Sequence, residues 1–354
     1  MCADPQIVLV VTATGREADS LAESLTTWGV DAIIFPSWET LPHERLSPSS
    51  ETIANRVQAL RRVRTWNGAQ SLVVIASVRA ALQPISAAVA DSAPLTLAVG
   101  ERHNLLDVSR ALLERGYQRV DMVSRRGEMA VRGGILDVFP PLGGHPCRVD
   151  FFGDEIDEIR EFSIADQRSL ATVKSVEASA VREILLTPEV RKRAAKLAER
   201  VPSLRSLAEP IAEGIAVPGM ESLLPALVDK VVPLVSFFPD SASVIVVGPD
   251  RVRARAESLR LTNQEFLAAA WHSVGDGGEV HQLVHREEAR EEVGDLRELL
   301  VVELDRQGGE ALREVVRDGE RRRRRELERG AGGVGRHDPA FYTGRRARGG
   351  REAR

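Results

Sequence analysis

ATP-driven chemistry on an α/β sheet requires a G-x-x-x-x-G-K-[ST] loop after the first strand, where backbone amides and a lysine cradle the phosphates. No such loop occurs anywhere in the 354 residues. The turn after the apolar run Ile7–Val11 reads TATG, with one glycine and no lysine. We read it as an ordinary strand-to-helix connection, the other reading being a relic phosphate loop. Asp154-Glu155 invites comparison with a magnesium-binding acidic pair. A pair of that kind ends a buried parallel strand, however, whereas this one follows Phe152-Gly153 at a turn signal. The seven histidines have no metal-ligand spacing, and Cys2 and Cys147 cannot form a zinc site or a disulfide framework. No Ser/His/Asp or Cys/His set suggests itself. The chain is expected to catalyse nothing by itself and to hold no metal or cofactor.

A more informative set of residues lies in the stretch CRVDFF. If Cys147–Phe152 is a strand, Cys147, Val149 and Phe151 share one face, and Arg148, Asp150 and Phe152 share the other. Val149 and Phe151 make the consistent apolar set, which leaves Phe152 on the outer face beside Arg148. Aromatic and arginine side chains exposed together are the types enriched at binding hot spots. The competing reading is that another part of the chain covers this face. Arg132, ending the preceding strand, is expected nearby. Because Arg148 and Phe152 are expected at the surface, replacing either should change stability little.

The elements that must hold these residues follow from the apolar pattern. Ile7–Val11, Ala32–Phe35 and Ser71–Ala76 read as buried strands, with helices at Arg16–Trp28 and Glu51–Arg64, the latter capped by Ser49 or Ser50. This alternation argues for a parallel sheet with flanking helices. From Tyr117 the pattern changes to short segments, Glu128–Arg132, Ile135–Phe139, Cys147–Phe152 and Ile156–Phe162. Turn signals at Gly143-Gly144 and Gly153-Asp154 separate them. A helix returns around Thr187–Arg200, and Ser241–Gly248 reads as another parallel-type strand. A small antiparallel domain therefore interrupts an α/β domain.

Composition narrows the function classes. A formal net charge of −4 and a hydrophobic content of 43% describe a folded chain without the overall basicity of many nucleic-acid binders. The start, MCADPQIVLVV, lacks the pattern of a signal peptide, and no apolar run approaches the ~18 residues of a membrane span. A cytoplasmic location and no membrane association are expected. From His281 to the end, 18 arginines and 16 acids occur without a lysine, which reads as a solvated helix or a disordered tail.

Four stretches carry a family resemblance: FPSWETLPHERLSPSSETIANRVQAL (Phe35–Leu60), LVVIASVRAALQP (Leu72–Pro84), RRGEMAVRGGILDVFP (Arg125–Pro140) and CRVDFFGDEIDEIREF (Cys147–Phe162). Over roughly residues 5–275 the chain resembles the N-terminal region of the transcription-repair coupling factor family, Mfd. It is also similar to UvrB, with which that family shares an N-terminal module. The resemblance implies a degenerate helicase (RecA-like) parallel-sheet domain, 1–95 and 181–278, interrupted by a small α+β UvrB-like domain, 96–180. A charged tail, 279–354, has no counterpart in the family and is assigned no function.

The resemblance also implies a partner, UvrA, the damage sensor of nucleotide excision repair. The family's UvrA-contacting residues match Arg132 in AVRGG and Arg148 and Phe152 in CRVDFF. RNA polymerase, double-stranded DNA, ATP and magnesium are implied only for the full-length family, a DNA translocase whose polymerase-binding and motor parts are not found here. UvrB has a second arginine two residues before the position of Arg132, where this chain has Ala130, which favours the coupling factor. Two other readings compete. A UvrB-like ATP-dependent repair enzyme would need the phosphate loop and an aromatic-rich DNA-gripping hairpin, yet the chain has two tyrosines, Tyr117 and Tyr342. A nucleic-acid-binding protein acting through the arginine tail would draw on counterion release, against which stand the nearly equal acids interleaved there.

Overall fold

A computed structural model describes residues 5–40 and 46–273, with 263–273 as helical backbone only. The arginine-rich segment from His281 onward, and with it the expectation of a solvated or disordered tail, lies outside the described residues.

Strands β1 (Ile7–Thr12), β2 (Ala32–Phe35) and β3 (Leu72–Ser77) form within one residue of the expected runs. Every residue of β1 and β3 is buried. The reason is a sheet covered on both sides. Val8 and Val10 meet Ala18, Ala22 and Leu25 of helix α1 (Gly15–Thr27). Ile7, Leu9 and Val11 point the other way, toward Ile53, Val57 and Leu60 of helix α2 (Ser50–Arg64). Alternating side chains that all find apolar partners give an unbroken hydrophobic run instead of a period of two.

Local chemistry sets the helix starts. The Thr14 hydroxyl accepts the N–H of Glu17 to cap α1, and the Glu17 carboxylate accepts the N–H of Ala13 at 3.2 Å. Ser49, rather than Ser50, caps α2 by accepting the N–H of Thr52. Ser50 instead donates to the Arg126 carbonyl.

Beyond β3 come α3 (Val78–Leu82), β4 (Ile85–Ser86), β5 (Leu95–Ala98), α4 (Leu105–Glu114) and β6 (Gln118–Arg119). The strands β7 (Glu128–Arg132), β8 (Ile135–Val138), β9 (Cys147–Phe152), β10 (Glu155–Phe162) and β11 (Ser169–Val173) then build a second sheet, in the order β11-β10-β9-β8-β7-β6. Its neighbours are antiparallel except β6 and β7, which run parallel, so the unit expected to be antiparallel is mixed. Strand β12 (Ser175–Ala178) pairs with β5, bringing the two ends of this segment together. Beneath the sheet, Leu136, Val149, Ile156 and Ile159 share a core with Leu97, Leu112 and Val176.

The chain then continues through α5 (Pro188–Arg200), α6 (Arg205–Ala212), α7 (Leu224–Leu227) and β13 (Val231–Val232), which pairs with β4. Thr187 caps α5, with Pro188 in its first turn. Strand β14 (Ser243–Val246) finally joins β1 in parallel, and α8 (Pro249–Ser273) follows. The first sheet thus has the order β14-β1-β3-β2, all parallel. Its outermost strand comes from the far side of the mixed sheet in sequence. The architecture is α/β, with one parallel and one mixed sheet. Among the described residues, no helix is long and apolar enough to cross a membrane.

Buried polar contacts join the two parts where the chain re-enters the parallel one. Glu183 pairs with Arg56 of α2, with both side chains wholly buried, and accepts the indole N–H of Trp38 at 3.0 Å. The Arg56 guanidinium also lies over the Phe35 ring, 4.1 Å from its centroid.

Candidate functional site

Strands β9 and β10 form a hairpin whose two-residue turn is Gly153-Asp154, with Phe152 facing Glu155 across it. Gly153 takes the left-handed φ of +64° that such a turn asks of its first residue. Asp154 is therefore a turn residue. Glu155 opens β10 and pairs with Arg102 at 3.2 Å. The N–H of His103 donates to the Asp154 carbonyl at 2.7 Å, tying the segment after β5 to the hairpin tip.

The faces of β9 divide as the alternation requires. Cys147 and Val149 are buried in the core beneath the sheet, and Phe151 packs against that core while remaining partly exposed. Burial pushes the Cys147 thiol up to about 11, so it stays protonated at neutral pH. Arg148, Asp150 and Phe152 point the other way. Phe152 is 83% exposed, the most exposed of the large hydrophobic side chains among the described residues.

The same outer face continues across the sheet. Cross-strand pairing aligns Ala130, Asp137, Arg148 and Arg160 in one row, and Arg132, Ile135 and Asp150 in the next. Asp137 sits at the centre of the first row and is 1% exposed. Its Oδ1 accepts from Nε of Arg148 at 2.7 Å, and its Oδ2 accepts from Nη2 of Arg148 at 2.9 Å. Oδ2 also accepts from Nη2 of Arg132 at 2.5 Å. One carboxylate thus gathers the two arginines expected to lie together. The hydrogen bonds to Asp137 push the Arg148 guanidinium above its ordinary pKa, which keeps it charged. Next to them, Arg160 pairs with Asp150 and with Glu158, and Thr172 donates to Glu158 at 3.2 Å.

Arg148 is not an open surface arginine, since its side chain is 19% exposed, against 52% for Arg132. The Arg148 guanidinium lies over the Phe162 ring, 4.8 Å from its centroid. Phe162 belongs to a small apolar cluster on this outer face with Val123, Ala130 and Phe139. A period of two tells which way a side chain points but not what comes to lie over it. Here the Phe162 ring, packed in a cluster with Val123 and Val120, lies against the Arg148 guanidinium. Replacing Arg148 will therefore disturb the fold, contrary to the expectation for a surface residue.

Asp137 escaped the sequence reading because one aspartate inside ILDVF has no motif. The available signal was its place: a charged residue between Leu136 and Val138, in an otherwise apolar strand beside two strands carrying arginines. At the other end of the molecule, the turn after β1 is a short capped connection in which Thr14 and Glu17 already occupy the helix start. Among the described residues, no group of three or more histidine, cysteine or acidic side chains is arranged to hold a metal ion.

Comparison with known proteins places this face in a recognised segment. Residues 95–183, which include Arg132, Asp137, Arg148 and Phe152, match the UvrB interaction domain family. The chain is 49% identical over 280 residues to the transcription-repair-coupling factor of Mycobacterium tuberculosis, covering 75% of this chain and 23% of that protein. It is 33% identical over 255 residues to the Myxococcus xanthus protein of the same name, covering 67% of this chain and 20% of that one. The Bacillus subtilis protein of that name is 28% identical over 282 residues, or 73% and 24% of the two chains. The chain spans less than a quarter of the length of these relatives. Over three quarters of its length, this chain corresponds to the N-terminal region of the transcription-repair coupling factors, and it carries a UvrB interaction domain within it.

Proposed function

We propose that this chain is a docking module that recruits UvrA for transcription-coupled nucleotide excision repair, through Arg132, Arg148 and Phe152. The observation that carries this reading is Phe152, a large aromatic side chain left 83% exposed on the same sheet face as two arginines. The match of residues 95–183 to the UvrB interaction domain supports it. We read 96–180 as the UvrA-binding insertion, and 1–95 with 181–278 as a degenerate helicase-like domain that carries it. In this reading the chain has no nucleotide chemistry of its own. RNA polymerase, DNA, ATP and magnesium belong to the rest of a full-length coupling factor.

Calorimetric titration of the purified chain with UvrA tests the proposal. Phe152→Ala should weaken binding by about 2 kcal/mol, roughly thirtyfold, as hot-spot truncations do. Its melting temperature should stay close to that of the parent, because an exposed side chain contributes little to folding. Undiminished affinity in a folded Phe152→Ala chain would remove this face from the docking site. Magnesium-dependent ATP turnover by the isolated chain would overturn the non-enzymatic reading.

A further inference from the structure

Asp137 lies on the outer face of β8, in one row with Arg148 and Arg160, yet it is shut off from water. Burying a carboxylate is unfavourable unless its oxygens are well paired. Both oxygens of Asp137 are taken by arginines, two bonds coming from Arg148 and one from Arg132. The Nε/Nη2 fork of Arg148 onto Oδ1 and Oδ2 fixes the plane of that guanidinium, and the Phe162 ring lies against it. Nη1 of Arg148, and Nη1 and Nε of Arg132, have no hydrogen-bond partner among the described residues. A free arginine must give up rotamer freedom when a partner immobilises it, and a tethered one has lost much of that freedom already.

We infer that Asp137 is the positioning residue of the docking face. It holds the guanidinium groups of Arg132 and Arg148 in one preformed arrangement, with their remaining N–H groups available to the partner. This inference rests on the reading of Arg132 and Arg148 as UvrA contacts.

The test is a mutant cycle on the whole chain, with UvrA affinity and melting temperature measured for each variant. Asp137→Asn keeps the size of the side chain but removes the charge and one acceptor. It should lower UvrA affinity roughly tenfold, the loss expected when two arginine side chains must be ordered on binding. In the Arg132→Ala/Arg148→Ala background, the same change should have no further effect. An equal loss in both backgrounds would show that Asp137 acts through general stability, and would overturn the positioning role. So would unchanged affinity in Asp137→Asn.

Should Asp137→Asn fail to fold, Arg148→Lys decides instead. Lysine keeps the charge but cannot place two donors in a planar fork. A loss matching that of Arg148→Ala supports positioning, and full retention of binding overturns it. If the parent chain does not bind UvrA at all, the recruitment reading fails and the role of Asp137 fails with it. Binding by the parent with additive losses removes only the latter.

Discussion

Arg148 and Phe152 share a strand face, yet their replacement should have different consequences. Phe152 touches little of its own chain, so its truncation should show only in binding. Arg148→Ala removes two of the three hydrogen bonds held by a buried carboxylate and uncovers the Phe162 ring. Leaving a buried polar group short of a partner costs about 1–3 kcal/mol, and more when the group is charged. Urea denaturation should therefore place the Arg148→Ala midpoint clearly below that of the parent, with Phe152→Ala unchanged. Phe151→Ala is the control on the inner face. It should also destabilise, but by less than the ~3–5 kcal/mol of a fully buried phenylalanine, because Phe151 is only partly covered. Equal midpoints for Arg148→Ala and the parent would contradict the burial and pairing described for Asp137. The alternation in CRVDFF was enough to separate Phe151 from Phe152. It could not reveal that Arg148 stacks on a residue ten or more positions away, because that contact depends on how β9 and β10 are paired.

At the scale of the elements, the placement of Phe152 depends on the close approach of the β7–β8 turn to β9. The N–H of Phe151 donates to the Gly134 carbonyl at 2.8 Å. A Cβ on Gly134 would stand 2.9 Å from the Phe151 carbonyl oxygen, a backbone atom that cannot rotate away. Gly134→Ala should therefore cost about 1–3 kcal/mol, the usual range for overpacking, and should displace the strand end that carries Phe152. Gly144→Ala is the matched comparison, since a Cβ there meets nothing within 4 Å and its φ is not left-handed. Thermal melts of the two variants would separate these cases. A Gly134→Ala chain as stable as Gly144→Ala would show that the turn can move aside freely. The tightness at Gly134 was not legible in the sequence, because the clash is with a strand that begins well beyond it.

At the scale of the whole molecule, buried charged side chains tie together segments distant in sequence. Glu221 is such a group. It pairs with Arg182 at 3.2 Å and accepts from the Ser47 hydroxyl at 2.5 Å. Burial nonetheless pushes its carboxyl above the ordinary pKa, outweighing the opposing effects of Arg182 and Ser47. An acid whose folded pKa is raised holds its proton to higher pH in the folded state than in the unfolded one. Its contribution is fully present below the unfolded pKa and is lost as pH rises through the window up to the folded pKa. Stability should therefore fall across that window, and Glu221→Gln, with no proton to lose, should flatten the fall. Melting temperatures of both chains across the range just above the ordinary carboxylate pKa would show it. Parallel profiles would mean that Glu221 titrates as it does in the unfolded chain.

What the sequence determined by itself was local. Unbroken apolar runs marked β1, β2 and β3, because a strand covered on both sides must be hydrophobic throughout. Ser49-Ser50 marked the start of α2, because a hydroxyl there satisfies an amide that the helix cannot, and the structure chose Ser49. Strict alternation marked the outward residues of β9. Tertiary structure decided the rest. The short strands β4, β5, β12 and β13 have too little pattern to stand out and exist only as pairs between distant segments. The parallel pairing of β6 with β7, the covering of Arg148 by its surroundings, and the gathering of two arginines on Asp137 all follow from which strands became neighbours. Such contacts join residues by register rather than by spacing, so no periodicity along the chain can encode them.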